Sequence, residues 1–228
     1  MNNNLKTMVA LGLVLMLTGL LGGCESDSVS PNDETPELTQ ENAAYQAAIV
    51  ALAMVEVGPQ VIDFTPSKNV YTYSFTGYEY VEGDVEIDFR TGGADGEPAT
   101  PSNADYAHLV TLGDTGLTVT YDGLAGSAMS LTADIQANLD QVNDTATIIA
   151  PSGGTLVAGV YTGTYDIDGV VVGATGYPTA GTITFTAGGH TLAVTFNGTA
   201  NVPVSVNGTT TWMLNLDDGE LSEVMPPR

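Results

Sequence analysis

The sequence predicts an all-β fold, an antiparallel meander of about eleven strands closing as a barrel or a two-sheet sandwich, with one N-terminal α-helix packed on it. Three observations predict it. From about residue 69 onward Val, Ile, Thr and Tyr dominate, with turn signals recurring roughly every 8–12 residues. Near the C-terminus the large apolar residues alternate with polar ones in successive segments, as a sheet with one wet side requires. Only residues 37–58 carry apolar side chains at helical spacing. A meander this long hides its edges by closing or by folding into two packed sheets.

The first 23 residues read as an export signal. Lys6 and the amino terminus are positive, and Met8 to Leu21 is apolar apart from Gly12, Thr18 and Gly19. That run is shorter than the ~18 residues of a spanning helix. Gly22 and Gly23 then precede Cys24, the only cysteine, so no internal disulfide can form. The segment Leu21-Gly22-Gly23-Cys24 closely resembles the lipobox of bacterial lipoproteins, over residues 1–24 and no further. The family more often carries Ala or Ser where Gly22 stands, and a more basic start. The resemblance implies cleavage before Cys24, diacylglycerol on its sulfur and a fatty acyl group on its new amine. No other cofactor is expected. Two or three acyl chains anchor stably, where one binds reversibly. Because Glu25, not Asp, follows the cysteine, the resemblance also implies outer-membrane residence in a Gram-negative cell envelope.

After that cut the chain holds 27 Asp and Glu against Lys68, Arg90 and Arg228, a net charge of 3 − 27 = −24. Nucleic acid is excluded as a partner, since phosphate contacts need clustered Lys and Arg. Anionic lipid gains no basic patch to hold. The membrane partner is therefore reached through the lipid anchor, and the sequence names no protein or ligand partner. Residues 24–36 are polar, acidic and proline-containing, and read as a disordered tether.

The helix expected over 37–58 starts with Thr35 as cap and Pro36 at its first position. Tyr45, Ala48, Ile49, Leu52 and Val55 follow at helical spacing, and Gly58-Pro59 stops it. Ala43, Ala47, Val50, Ala51 and Met54 make it apolar nearly all round, so it should plug or cap the β structure.

Residues 59–228 form a single antiparallel β domain. Strands are expected near 69–76, 105–112, 145–150 and 155–168. A Glu82-Gly83 turn would set Tyr78 and Tyr80 beside Ile87 and Val85. Leu117, Val119 and Tyr121 match Leu131, Met129 and Ser127 across a loop at 122–126. A Gly188-Gly189 turn pairs 187 with 190, putting Ile183, Phe185, Leu192 and Val194 on one face. A three-residue loop 196–198 then pairs 195 with 199. The same loop at 206–208 sets Trp212 opposite Val202, with Val204, Val206, Leu214 and Leu216 on the apolar face. Pro203 cannot donate to a ladder and calls for a bulge or an unpaired stretch. Thr91–Ala104, rich in Gly and Pro, is a loop of a length that is often functional or disordered.

Catalytic patterns are sparse. His108 and His190 have no second His or Cys at metal-ligand spacing and read as ordinary strand residues. No G-x-S-x-G elbow and no phosphate-cradling glycine loop is present. Asp84, Glu86 and Asp88 alternate with apolar residues, so three carboxylates share one side of a strand. They are weak calcium candidates, since a hard divalent cation relieves such repulsion. Asp166 and Asp168 are a second weak candidate. The following Gly169 comes too early for an EF-hand loop, and no closing Glu follows. Asp217-Asp218-Gly219-Glu220 reads as a turn. Tyr71, Tyr73, Tyr78 and Tyr80 gather as aromatic packing or as a surface for sugar. The expected function is a non-enzymatic structural or interaction module on the cell envelope. The alternatives are a β-barrel carrier of a small apolar or glycan ligand and a carboxylate-dependent hydrolase.

Overall fold

A computed structural model of the chain describes residues 37–62, 67–113, 116–120, 129–174 and 176–224. The lipobox, the tether, Thr35, Pro36 and the 121–127 pairing lie outside these residues. The described residues are mostly antiparallel β-sheet, with a single α-helix among them.

The helix, α1, spans Gln40–Val57, beginning three residues later than the sequence suggests. Thr39 explains the difference. Its backbone is extended, its hydroxyl accepts from the Asn42 N–H at 3.2 Å, and its carbonyl accepts from the Ala43 N–H. At the other end the chain tightens into a 3-10 turn over Gly58–Ile62. Gly58 serves there by its small size: a Cβ on it would stand 2.9 Å from Ile148 Cδ1.

The strands are β1 (Val70–Phe75), β2 (Val81–Thr91), β3 (Glu97–Pro98), β4 (Tyr106–Thr111), β5 (Leu117–Val119), β6 (Met129–Thr132) and β7 (Asp134–Asp140). They continue as β8 (Thr145–Ala158), β9 (Tyr161–Gly173), β10 (Ala180–Ala187), β11 (His190–Thr195), β12 (Asn201–Val206), β13 (Thr209–Asn215) and β14 (Leu221–Glu223). All fourteen belong to one sheet. Its hydrogen-bonded path returns on itself through β8, β6, β5, β2, β4 and β7. The registers show why. β4 and β5 both lie on the same run of β2, Val85 facing Thr111 and Val81 facing Val119. β7 and β6 likewise share β8. Each pair is one long strand interrupted, between β4 and β5 and at Ala133. Counting each pair once and setting aside the two-residue β3, eleven strands follow one another in chain order.

The sheet must curl. Ten consecutive helix residues from Ala44 to Ala53, with Tyr45 alone half-exposed, leave no side of α1 in solvent. A flat sheet covers only one side of a helix, whereas β2 and β8 to β12 all touch this one. Register shifts in β8, β10 and β12 supply bends. Six alanines on α1 let the strands approach it closely. The inward residues are those that the alternation assigns, among them Ile183, Phe185, Leu192, Val194, Val204, Trp212 and Leu214, all buried.

Several expected registers need correction. The Gly188-Gly189 hairpin is as read, with 187 facing 190 and 183 facing 194. The next loop is longer, because β12 starts only at Asn201 and Val194 faces Val204. Asn197 holds it open: its Oδ1 accepts from the Thr199 N–H at 3.1 Å and the Thr199 hydroxyl at 2.7 Å. The β12–β13 turn has two residues, Asn207 and Gly208, both left-handed. A bulge between Val204 and Ser205 then restores the faces, so Trp212 faces Val204, not Val202. Pro203 lies where pairing with β11 has ended. Glu82 and Gly83 are not a turn, since β2 runs straight through them and Phe75 faces Gly83. The segment 155–168 is two strands, divided at the left-handed Gly159. The 91–104 loop carries β3 and a 3-10 turn at Pro101–Asn103.

The outer face is largely threonine. Thr132, Thr155, Thr164, Thr186 and Thr191 stand side by side across β6 and β8 to β11. Such cross-strand pairs each add roughly 0.2–1 kcal/mol.

Candidate functional site

Polar chemistry concentrates on the outer face of β2 and its neighbours. Val85, Ile87 and Phe89 point into the core, so Asp84, Glu86 and Asp88 point out, as their alternation requires. Each carboxylate meets different company. The Ser74 hydroxyl on β1 donates to Asp84 Oδ1 at 2.5 Å. Arg90 donates from Nε to Asp88 Oδ2 at 2.9 Å and from Nη1 to the Ala94 carbonyl at 3.0 Å, tying the following loop to β2. Glu86 stands between Thr72 on β1 and Val110 on β4. Beyond Asp88, His108 Nε2 lies 2.6 Å from Asp134 Oδ1 on β7. Carboxylates thus stand on the outer face of β2 and β7, with His108 of β4 between them.

Asp166 and Asp168 are on the same outer face but on β9, paired with Thr184 and Thr182. Four strand spacings, roughly 19 Å, separate them from the β2 carboxylates. Among the described residues no group of three or more His, Cys, Asp or Glu is placed to hold a metal ion. His190 donates from Nε2 to the Leu38 carbonyl at 3.1 Å, pinning the residues before α1 to the β10–β11 hairpin. The Asp217–Glu220 segment is a turn, with the Asp217 N–H on Asn215 Oδ1 and the Glu220 N–H on Asp218 Oδ1. Trp212 is core.

The tyrosines weld β1 to the end of the helix. Tyr71 stacks on Phe89 at 5.9 Å, and Phe75 packs edge-on against Tyr73 and Tyr78. The hydroxyls of Tyr73 and Tyr78 share a hydrogen bond. Gln60 donates to the Tyr78 hydroxyl, and its carbonyl accepts from Tyr71. Tyr80 is buried apart from them, just before β2.

Three carboxylates escaped the sequence reading. Glu56, on the last turn of α1, accepts from the Glu79 and Tyr80 N–H groups at 2.9 and 3.0 Å. It therefore fixes the β1–β2 turn. Burial raises its pKa above the ordinary 4.5, against the lowering effect of those N–H groups. Protonation is then easier in the folded chain than in the unfolded one. The stability this contributes is full below the ordinary value and is lost as pH rises through the raised one. Thermal melts across this range should show the wild type losing stability relative to Glu56→Gln as pH rises. A constant difference between the two would disprove the coupling.

Asp105 and Asp140 line a shallow open cleft of about 680 Å³ with Gln141 and Val142. Asp105 accepts from the Gly92 and Gly93 N–H groups, and Asp140 from the Asn143 side chain and the Val142 and Asn143 N–H groups. These bonds lower both pKa values below 3.8. A general acid needs the opposite shift. The two carboxylates are caps on the turns beside them. No local pattern marks either as part of a cleft, which forms only when two distant turns meet.

No family model, curated protein or solved structure matches this chain.

Proposed function

We propose that the mature chain is a lipid-anchored protein of the bacterial cell envelope, working as a non-enzymatic interaction module. One observation carries the module reading: among the described residues, the interior that a carrier would keep hollow is filled. The plug helix occupies it, and the packing tolerates no added methyl at several points. A Cβ on Gly154 would lie 2.3 Å from Tyr165 Cζ, and one on buried Gly163 would lie 2.1 Å from Phe185 Cζ. What the fold offers a partner is its outside, an acidic and threonine-rich face. The anchor rests on the lipobox resemblance at Cys24, and Glu25 favours the outer membrane. Acidity disfavours nucleic acid as the partner.

Cys24→Ser should abolish incorporation of labelled palmitate and leave the unprocessed precursor. Persisting label would remove the anchor. The protein purified from its own envelope should weigh the lipidated chain alone by native mass spectrometry. A reproducible additional small-molecule mass would overturn the module reading in favour of a carrier.

A further inference from the structure

An open sheet has two edges, and an unguarded edge is a template for another strand. One edge here is guarded. β14 has three residues, follows Glu220, ends on Glu223, and precedes Pro226 and Pro227 in the sequence. Among the described residues the opposite end is not. β1 reads Val-Tyr-Thr-Tyr-Ser-Phe, six residues with no charge and no proline.

The hydrogen-bond phase of β1 shows what that edge presents. The Phe89 N–H donates to the Asn69 carbonyl at 2.7 Å, so residues 69 and 89 form a hydrogen-bonded pair. Tyr71, Tyr73 and Phe75, facing Ile87, Val85 and Gly83, continue that phase. The main-chain N–H and C=O groups of Val70, Thr72 and Ser74 therefore point away from β2. Among the described residues none of these groups has a partner. The matching groups of β2 confirm the phase, since the Asp84 carbonyl points the other way and accepts from Leu112 N–H.

Charge then selects the strand that fits. Val70, Thr72 and Ser74 share the outer face with Asp88, Glu86 and Asp84, directly opposite them on β2. An added strand would lie two spacings from β2, roughly 10 Å, a gap that long basic side chains and these carboxylates close from both ends. Thr72 is short and does not block the way. Glu86 makes no hydrogen bond or ion pair among the described residues and is the carboxylate most ready to accept. On the inner side, half-buried Tyr71 and Tyr73 leave apolar surface for the alternate side chains. A second copy of this chain does not fit, because its own net charge of 4 − 27 = −23 would be repelled.

We propose that β1 is a strand-addition site for an extended segment of another protein, alternating apolar residues facing inward with Lys or Arg facing outward. The proposal rests on the interaction-module reading and specifies its surface. Main-chain bonds would supply affinity and the β2 carboxylates specificity.

The test uses the full-length lipidated protein in detergent micelles and three synthetic peptides: alternating Lys and Val, the same composition in two blocks, and alternating Glu and Val. The alternating Lys–Val peptide should bind, and the other two should not. In the free protein the amides of Val70, Thr72 and Ser74 should exchange with solvent fast, and the peptide should protect them. Replacing Asp84, Glu86 and Asp88 together by their amides should weaken binding about tenfold and remove most of its salt dependence. Thr72→Pro should abolish binding. If that variant fails to fold by circular dichroism, the amide variant decides alone. Slow exchange at the three amides in the free protein would overturn the proposal, as would absent peptide binding or binding that the amide variant leaves unchanged. Failure here with no extra mass on the native protein leaves the module reading standing. An extra mass overturns that reading whatever the peptide does.

Discussion

Ala48→Glu should prevent the protein from folding. Ala48 lies at the centre of α1, fully buried, with buried neighbours before and after it along the helix. A carboxylate there finds no solvent on any side and no cation, since Lys68 and Arg90 are the fixed positive charges among the described residues and both lie outside the core. The penalty of an unpaired buried ion is several kcal/mol. The side chain also adds volume where the strands close on the alanines. Together these rival the roughly 5–15 kcal/mol that holds an ordinary domain together. Glu41→Gln, in the exposed first turn, is the control and should stay within about 0.5 kcal/mol of wild type. Circular dichroism and thermal melts compare them. A folded Ala48→Glu protein with a near-native melt would show that the helix is not enclosed and that the interior has room.

Phe185→Ala should destabilise by about 3–5 kcal/mol, the usual cost of deleting a buried aromatic ring. For a domain of this size that is a fall in melting temperature of very roughly 10 °C. Phe185 on β10 lies over Gly163 of β9: a Cβ on Gly163 would sit 2.1 Å from the ring carbon Cζ. The glycine makes the seat and the ring fills it. Gly163→Ala should therefore cost about 1–3 kcal/mol by overpacking. Combining Gly163→Ala with Phe185→Leu gives the alanine room, so the double variant should lose less than the two single losses together. Strict additivity would mean that ring and glycine do not share this space.

The protein's outer half was readable where alternation was strong. Ile183 to Leu216 fall on the predicted faces even where the predicted loops are wrong, because a parity error of two or four residues leaves every side chain on its own side. The bulge at Val204 and Ser205 and the long loop at Asn197 both preserve parity in this way. β7 was not readable. Asp134-Ile-Gln-Ala-Asn-Leu-Asp has few β-branched residues, and it is held as a strand by β4 on one side and β8 on the other. β14 is too short to show any periodicity.

The candidate sites divide along the same line. That Asp84, Glu86 and Asp88 share a face follows from their spacing on one strand. That they lie beside an uncovered edge, with Ser74 and Arg90 as partners, follows from pairings across the sheet. Glu56 had no local mark at all. Its role comes from 23 and 24 residues away, at Glu79 and Tyr80.

By itself the sequence determined the fold class, the helix that follows the tether region, the apolar and polar faces and the acidic character. Each of these is written in composition or in a short period along the chain. Only the tertiary structure decided that the helix is enclosed by the sheet, that two strands are interrupted, and which edge no described residue covers. Those outcomes depend on contacts between residues far apart in the chain, where burial and register are settled by partners that no local pattern specifies.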